Sequence, residues 1–418
     1  DLYTTTIVRK EELYFFNATV LKEEALLTTP AEEFQPAYSP DGKEVAYLEE
    51  RTTLKVLNIA SKLTRTVLPG DKNYSYADGD QWYAWSPDSK WFLVDFIHTE
   101  QWINQCGIVN ADGKSEVIDL TRSGYGGGRA EWALGGKAVF YYSSRDGMKS
   151  HASWGFQTDV YAIFLTKAAY DEYRRNKEEA ALAKEAEEKK KEGEDGKKDE
   201  KDKEKKGKKD EEKKEEIKPV VIELEGLYDR RVRLTVNSSN MSAAALSTDG
   251  EKLFYLTSFE KGFDLWQTEL RTRETKIISK LGAGYAGGLL ISKDGKRLYF
   301  INSGGLAYWD TEKNEQKSIG INGEMNLNET AERAYLFEHV WRQVKKKFYR
   351  VDMQGVNWDL YKQEYQRFLP SINNNYDMAE LLSEMLGELN ASHTGSGYGE
   401  GLPNADHTAA LGVLYTEE

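Results

Sequence analysis

A short turn recurs along this chain, and it restricts the fold more than any other feature. Ser39-Pro40-Asp41-Gly42-Lys43 precedes Glu44-Val45-Ala46-Tyr47-Leu48, and Ser86-Pro87-Asp88-Ser89-Lys90 precedes Trp91-Phe92-Leu93-Val94. Ser247-Thr248-Asp249-Gly250 precedes Lys252-Leu253-Phe254-Tyr255-Leu256, and Ser292-Lys293-Asp294-Gly295-Lys296 precedes Leu298-Tyr299-Phe300-Ile301. A decayed copy, Leu134-Gly135-Gly136-Lys137, leads into Ala138-Val139-Phe140-Tyr141. Asp and Gly tolerate tight-turn geometry, and Pro pre-sets φ at the first corner. Neighbouring copies lie roughly 45–48 residues apart, the length of one four-stranded propeller blade. Further alternating runs, Leu54–Ile59 and Leu265–Leu270, supply second strand pairs.

The spacing therefore predicts a β-propeller of about five blades, with Leu2–Thr29 as part of another. A closed propeller usually needs more, so further blades are expected before Asp1. An aromatic content of 12% and 35 glycines against 8 prolines suit strands joined by tight turns. The net charge of −13 argues against general nucleic-acid binding and favours peptide or small-molecule partners. A single cysteine, Cys106, excludes an internal disulfide framework and a cysteine-rich metal site. No apolar run is long enough to span a membrane. The chain starts at Asp1 without methionine and stops just after the apolar stretch 409–415, so both ends read as cuts through a longer protein.

Two changes of composition divide the chain. From 168 to 219 it is almost wholly Lys, Glu, Asp, Gly and Ala, with no aromatic after Tyr173 until past the segment. Such a segment cannot bury enough apolar surface to offset its ordering entropy, so disorder or a frayed helix is expected, as an insertion in the propeller. Strands are expected to resume at Val220–Leu224. After about Gly323 the apolar period changes from two to 3.6. Phe337, Val340, Trp341, Val344 and Phe348 fall on one helical face, with Asn328 as N-cap. Trp358, Tyr361, Tyr365 and Phe368 make a second helix, stopped by Pro370. Asp377 and Glu380 suggest a capping box for a third, whose buried face is Met378, Leu381, Leu382, Met385 and Leu389. The expected order is propeller over 1–167, charged insertion over 168–219, remaining blades over 220–322 and a mainly α-helical domain over 323–418.

Little of this carries recognisable chemistry. The five histidines are His98, His151, His339, His393 and His407, and no pair has helical metal-site spacing. Neither a metal nor another cofactor is implied. The glycine-rich stretches 124–128 and 282–288 precede blades rather than helices, so they read as inter-blade turns and not phosphate cradles. The informative stretch is Leu386-Gly387-Glu388-Leu389-Asn390-Ala391-Ser392-His393-Thr394-Gly395-Ser396-Gly397-Tyr398. A helix ends there and presents Ser392 and His393 on a loop, a common way to place a general base, although a capping or surface histidine fits the same pattern. Ser396 is not in a Gly-x-Ser-x-Gly elbow, because Thr394 breaks it.

Together with Val351–Asp359 and Leu382–Leu389, this stretch resembles the first core domain of Tricorn-type proteases. Gly387, Glu388, Ser392 and His393 match that family's Gly-Glu-x-x-x-Ser-His signature, and the order of propeller and helical domain fits. The resemblance covers specifically about the last hundred residues. It implies a serine-type peptidase of the S41 kind, in which His393 takes the proton of a nucleophilic serine and Ser392 belongs to the hydrogen-bonded tetrad. It places the nucleophile and the glutamate in later domains, so this chain alone is expected to be inactive. It further implies peptide substrates, no nucleic-acid or membrane partner, a cytoplasmic location with an exported one as the alternative, and a homo-hexamer. The run after His393 departs from the archaeal pattern, which leaves the substrate side-chain preference open. Two other readings stand beside it. One is a non-catalytic TolB-like propeller that binds protein or peptide. The other, a prolyl-oligopeptidase type, needs an α/β-hydrolase domain that the helical segment does not resemble.

Overall fold

A computed structural model describes residues 1–75, 79–98, 103–150, 155–183, 185–186 and 218–399. The chain divides into two compact units, meeting in sequence after Ile321.

Among the described residues, the first unit is a propeller of five four-stranded antiparallel sheets and one two-stranded sheet. The two-stranded sheet pairs β1 (Leu2–Ile7) with β2 (Leu21–Leu27). Blade I comprises β3 (Glu33–Tyr38), β4 (Glu44–Glu49), β5 (Thr53–Asn58) and β6 (Thr64–Leu68). Blade II comprises β7 (Tyr83–Trp85), β8 (Trp91–Ile97), β9 (Asn104–Asn110) and β10 (Ile118–Asp119). Blade III comprises β11 (Gly127–Ala133), β12 (Ala138–Ser143), β13 (Asp159–Phe164) and β14 (Arg231–Arg233). Blade IV holds β15 (Asn240–Leu246), β16 (Lys252–Ser258), β17 (Phe263–Glu269) and β18 (Thr275–Ala283). Blade V holds β19 (Ala286–Ile291), β20 (Arg297–Asn302), β21 (Gly305–Asp310) and β22 (Glu315–Ile319).

The recurrent turn has one hydrogen-bond plan, built four times. The serine hydroxyl donates to the aspartate two residues on, at 2.7 Å for Ser39–Asp41 and 2.6 Å for Ser86–Asp88, Ser247–Asp249 and Ser292–Asp294. The same hydroxyl accepts the N–H of the residue five positions on: Glu44, Trp91, Lys252 or Arg297. The aspartate accepts a second N–H two residues beyond itself. Gly42, Gly250 and Gly295 take φ of 71°, 73° and 72°, where glycine is unstrained, and Ser89 occupies the equivalent place at 60°. The decayed copy has neither side chain, and its turn is a 3₁₀ segment, Leu134–Gly136, with positive φ at all three residues.

Blades are joined by apolar packing and by bonds that repeat with the blade period. Trp85 Nε1 donates to the carbonyl of Ala37, Trp132 Nε1 to Ala84 and Trp82 Nε1 to Ala130, each between residues 48 apart. First strands β3, β11, β15 and β19 all carry a register shift against their second strands. Gln35, Arg129 and Gly288 sit at three of these shifts with positive φ, the left-handed conformation that G1-type β-bulges use.

The charged insertion leaves blade III after β13 and returns before β14. Its start takes the helical of the two expected forms, packed rather than frayed. Helix α1 (Lys167–Arg174) is capped by Thr166, whose hydroxyl accepts from Ala169 N. Ala169 is buried, and the rings of Tyr170 and Tyr173 lie 5.8 and 4.7 Å from that of Phe164. These aromatics supply the apolar area that the rest of the insertion lacks. Residues 187–217 lie outside the described residues. The strand expected at Val220–Leu224 is not a strand. Val220 and Ile222 pack on the core of blades II and III, while Val220 N bonds to Asp88 Oδ2 at 2.8 Å and Glu223 N to the carbonyl of Leu165. The alternation there marks burial against a neighbour rather than a ladder.

The second unit is helical. Helix α2 (Glu329–Lys347) is capped by Asn328, whose side chain accepts from Ala331 N at 3.1 Å. Phe337 is buried, and Val340, Trp341, Val344 and Phe348 pack on the same core. In helix α3 (Trp358–Gln366) the Trp358 and Trp341 indoles each donate to the other's carbonyl, at 3.0 and 3.1 Å. Phe368 corrects the expected face: it lies beyond the helix, 45% exposed, where 3₁₀ segment Leu369–Ser371 begins around Pro370. Helix α4 (Asn375–Gly387) is capped three residues earlier than expected. Asn374 accepts from Asp377 N at 2.8 Å and donates to Asp377 Oδ2 at 2.7 Å, because an Asn there closes the reciprocal bond before Asp377 can act as cap. Met378, Leu381, Leu382, Met385 and Leu389 all enter the core, each worth roughly 1.5–3 kcal/mol of transfer free energy.

Candidate functional site

The loop bearing Ser392 and His393 is shaped by the end of α4. Leu389 N bonds to the carbonyl of Leu386 and Asn390 N to that of Gly387, tightening the last turn. Asn390, at φ 48°, turns the chain away from the helix. Leu389, 1% exposed, and Ala391 pack into the helical core, so the loop is anchored immediately before Ser392.

Beyond that anchor the chain folds back on α4. Ser383 Oγ donates to the carbonyl of Ser396 at 2.8 Å and accepts its N–H at 2.9 Å. Thr394 Oγ1 closes a smaller turn on the carbonyl of Ala391 at 2.9 Å. Tyr398 sets its ring edge-on to Tyr376, with centroids 5.0 Å apart. His393 lies between these fastenings, exposed, with φ 62°. A non-glycine residue in the left-handed region costs about 1 kcal/mol, and such residues gather where surrounding structure over-determines the backbone. Neither Ser392 nor the His393 imidazole hydrogen-bonds to any described residue. The structure thus brings Ser392 and His393 onto one tethered, solvent-facing loop, beside no nucleophile–base pair among the described residues.

Glu388 has a different place. Its Oε1 accepts from Tyr365 OH at 2.9 Å, tying the end of α4 to α3. Burial, then this bond, push the Tyr365 phenol up to about 12, and Glu388 also raises Tyr361. Glu388 therefore fixes the helix end that carries the loop. Sequence reasoning missed Ser383. A serine within an apolar-faced helix carries no mark that it will clip a loop thirteen residues later.

His98 Nε2 lies 3.2 Å from Asp119 Oδ2, beside a surface cavity of about 790 Å³ in the propeller. His339 stacks on Tyr335, with centroids 5.8 Å apart. His151, His407 and the apolar stretch 409–415 lie outside the described residues. The glycine-rich stretches run into strands β11, β18 and β19 rather than opening helices. No described group of His, Cys, Asp or Glu could hold a metal ion, and no described helix is long and apolar enough to cross a membrane.

Propeller blades followed by a small helical unit with a tethered histidine loop define the class: a propeller chain carrying a helical core domain. The comparisons specify it. Residues 329–387 match the Tricorn protease C1 domain, a match that ends just before Ser392. Tricorn protease homolog 1 of Streptomyces coelicolor is 27% identical over 212 residues, covering 44% of this chain and 20% of that protein. The crystal structure of the tricorn protease aligns with 90% of this chain and 35% of its own length, at TM-score 0.59 and 13% identity. Residues 329–387 of the helical unit are thus similar to a Tricorn C1 domain, and the fold of the aligned 90% of this chain is similar to part of the tricorn protease. The chain spans about a fifth of the length of its curated relative. TolB from Acinetobacter baumannii aligns at TM-score 0.41 and 15% identity over 74% of this chain and 59% of that one, which decides nothing about function.

Proposed function

We propose that this chain supplies the general base of a serine-type peptidase whose nucleophile lies on a segment outside it. The observation that carries the reading is His393. It stands in a left-handed conformation, on a loop fastened at Leu389 and Ser396, directly after a Tricorn C1 match. In the mechanism, the His393 imidazole takes the proton of a serine hydroxyl as that oxygen attacks a peptide carbonyl, then returns it to the leaving amine. Ser392 joins the hydrogen-bonded tetrad and orients the reacting groups. The tetrad's glutamate and the oxyanion hole come from the same absent segment. The blades act as a filter that admits unfolded peptides. The Tricorn resemblance extends the proposal to a cytoplasmic homo-hexamer.

The test uses the longer protein of which this chain is a part. His393→Ala abolishes peptide turnover while the circular dichroism spectrum is unchanged. Retained turnover refutes the assignment and leaves the chain a propeller binding module. Residues 1–418 alone give no labelling with a serine-reactive fluorophosphonate, and labelling would place a nucleophile within the chain.

A further inference from the structure

Strand β11 places Glu131 on the wall of a cavity of about 310 Å³ formed by three successive blades. The other walls are Trp132, Leu134 and Phe140 of blade III, Leu246 of blade IV and Leu289 of blade V. The lining is thus apolar around one carboxyl group, with Ser247 and Thr248 at the adjoining turn. The Glu131 carboxyl makes no hydrogen bond and no ion pair with any described residue. Arg129 is the nearby cation, two residues earlier, yet it too makes no ion pair with Glu131.

Glu131 is half-buried, so its carboxyl group meets solvent at the rim of an apolar recess and has no cation held against it. Of the two hydroxyls at the adjoining turn, Ser247 donates to Asp249 and Thr248 makes no hydrogen bond to Glu131. The recess is large enough to admit a side chain or a peptide end. An ammonium group on a short aliphatic stem meets both features: its charge answers the carboxylate, and its methylenes answer the leucines and Phe140.

We propose that this inter-blade cavity is a binding site for a protonated primary amine on an aliphatic or peptide chain, with Glu131 as its charge partner. Burial raises the Glu131 carboxyl to about 7, against the smaller lowering effect of Arg129. The site is independent of the peptidase reading, since it uses no residue of the helical unit. A lysine side chain and a peptide amino terminus share the required chemistry.

The experiment follows methyl NMR signals of the intact chain during titration with three probes. Nα-acetyl-lysine amide offers a side-chain ammonium, leucinamide an α-ammonium, and Nα-acetyl-norleucinamide a neutral stem of the same shape. Leu134, Leu246, Leu289 and Ile291 methyls shift with one or both amines and not with the neutral probe; which amine acts identifies the source. Glu131→Gln weakens the amine's affinity by about tenfold or more, the loss of a charge-assisted bond. Glu131→Asp, which keeps the charge, retains part of it. Equal shifts with the neutral probe, unchanged affinity in Glu131→Gln, or no shift of these methyls at millimolar amine overturn the proposal. The wild-type shifts decide the matter even if the Gln variant does not fold.

Discussion

Asp95 offers a quantitative test of how the blades are joined. The bulge in β11 removes the Arg129 N–H from the strand ladder, and Asp95 of β8 in blade II accepts it, at 2.9 and 3.1 Å. Burial pushes this carboxyl up to about 7 from an ordinary 3.8, against the smaller lowering effect of Arg129. The folded state therefore holds a proton that the unfolded state releases between those values. The stability that Asp95 contributes is greatest below pH 3.8 and falls as pH rises toward 7. Each pH unit in that window costs about 1.4 kcal/mol, so Asp95 contributes a loss of about 2–3 kcal/mol between pH 5 and pH 7. Asp95→Asn keeps an oxygen for the Arg129 N–H but cannot ionise. Relative to wild type it should gain about 2–3 kcal/mol in urea unfolding between pH 5 and pH 7. Glu131 titrates in both proteins, so its contribution cancels to first order. Parallel stability profiles for the two proteins across this range would show that Asp95 is not desolvated and refute the reasoning.

Four further outcomes follow from the geometry. Ser86→Ala removes a fully buried hydroxyl that serves Asp88, Trp91 N and Lys90 N, and should cost about 2–3 kcal/mol in chemical denaturation, against less for Ser292→Ala, whose serine is only half-buried. Asp88→Ala also frees Val220 N, so limited proteolysis should cut the returning segment near Val220 faster than in Asp294→Ala, which touches no insertion. Ser383→Ala removes both bonds to Ser396, and amide exchange at Ser396 should accelerate by about tenfold while α4 stays protected; unchanged exchange would mean the clip is idle. His393→Gly relieves the left-handed backbone and should stabilise the helical unit by about 0.5–1 kcal/mol in thermal melts.

The propeller was legible because its defining bonds are local. Each Ser-x-Asp turn closes within six residues, so its side chains and its glycine are chosen by one short stretch of chain. The faces of α2 and α4 were legible for the same reason, since a helical period is written in consecutive residues. The strand expected at Val220–Leu224 failed because a half-buried alternation does not say whether a ladder or a packed neighbour covers it, and here Asp88 and Leu165 hold the backbone.

The candidate site divides along the same line. The sequence by itself determined that a helix ends before Ser392 and His393, because Leu386–Asn390 carry that stop locally. Only the tertiary structure decided that the loop is pinned by Ser383 and Tyr376, that Glu388 serves Tyr365, and that Asp95 and Glu131 sit in apolar surroundings. Those outcomes join residues from different elements or blades. The free energy of a buried carboxyl is set by whatever the fold happens to bring beside it, and no run of neighbouring residues encodes that.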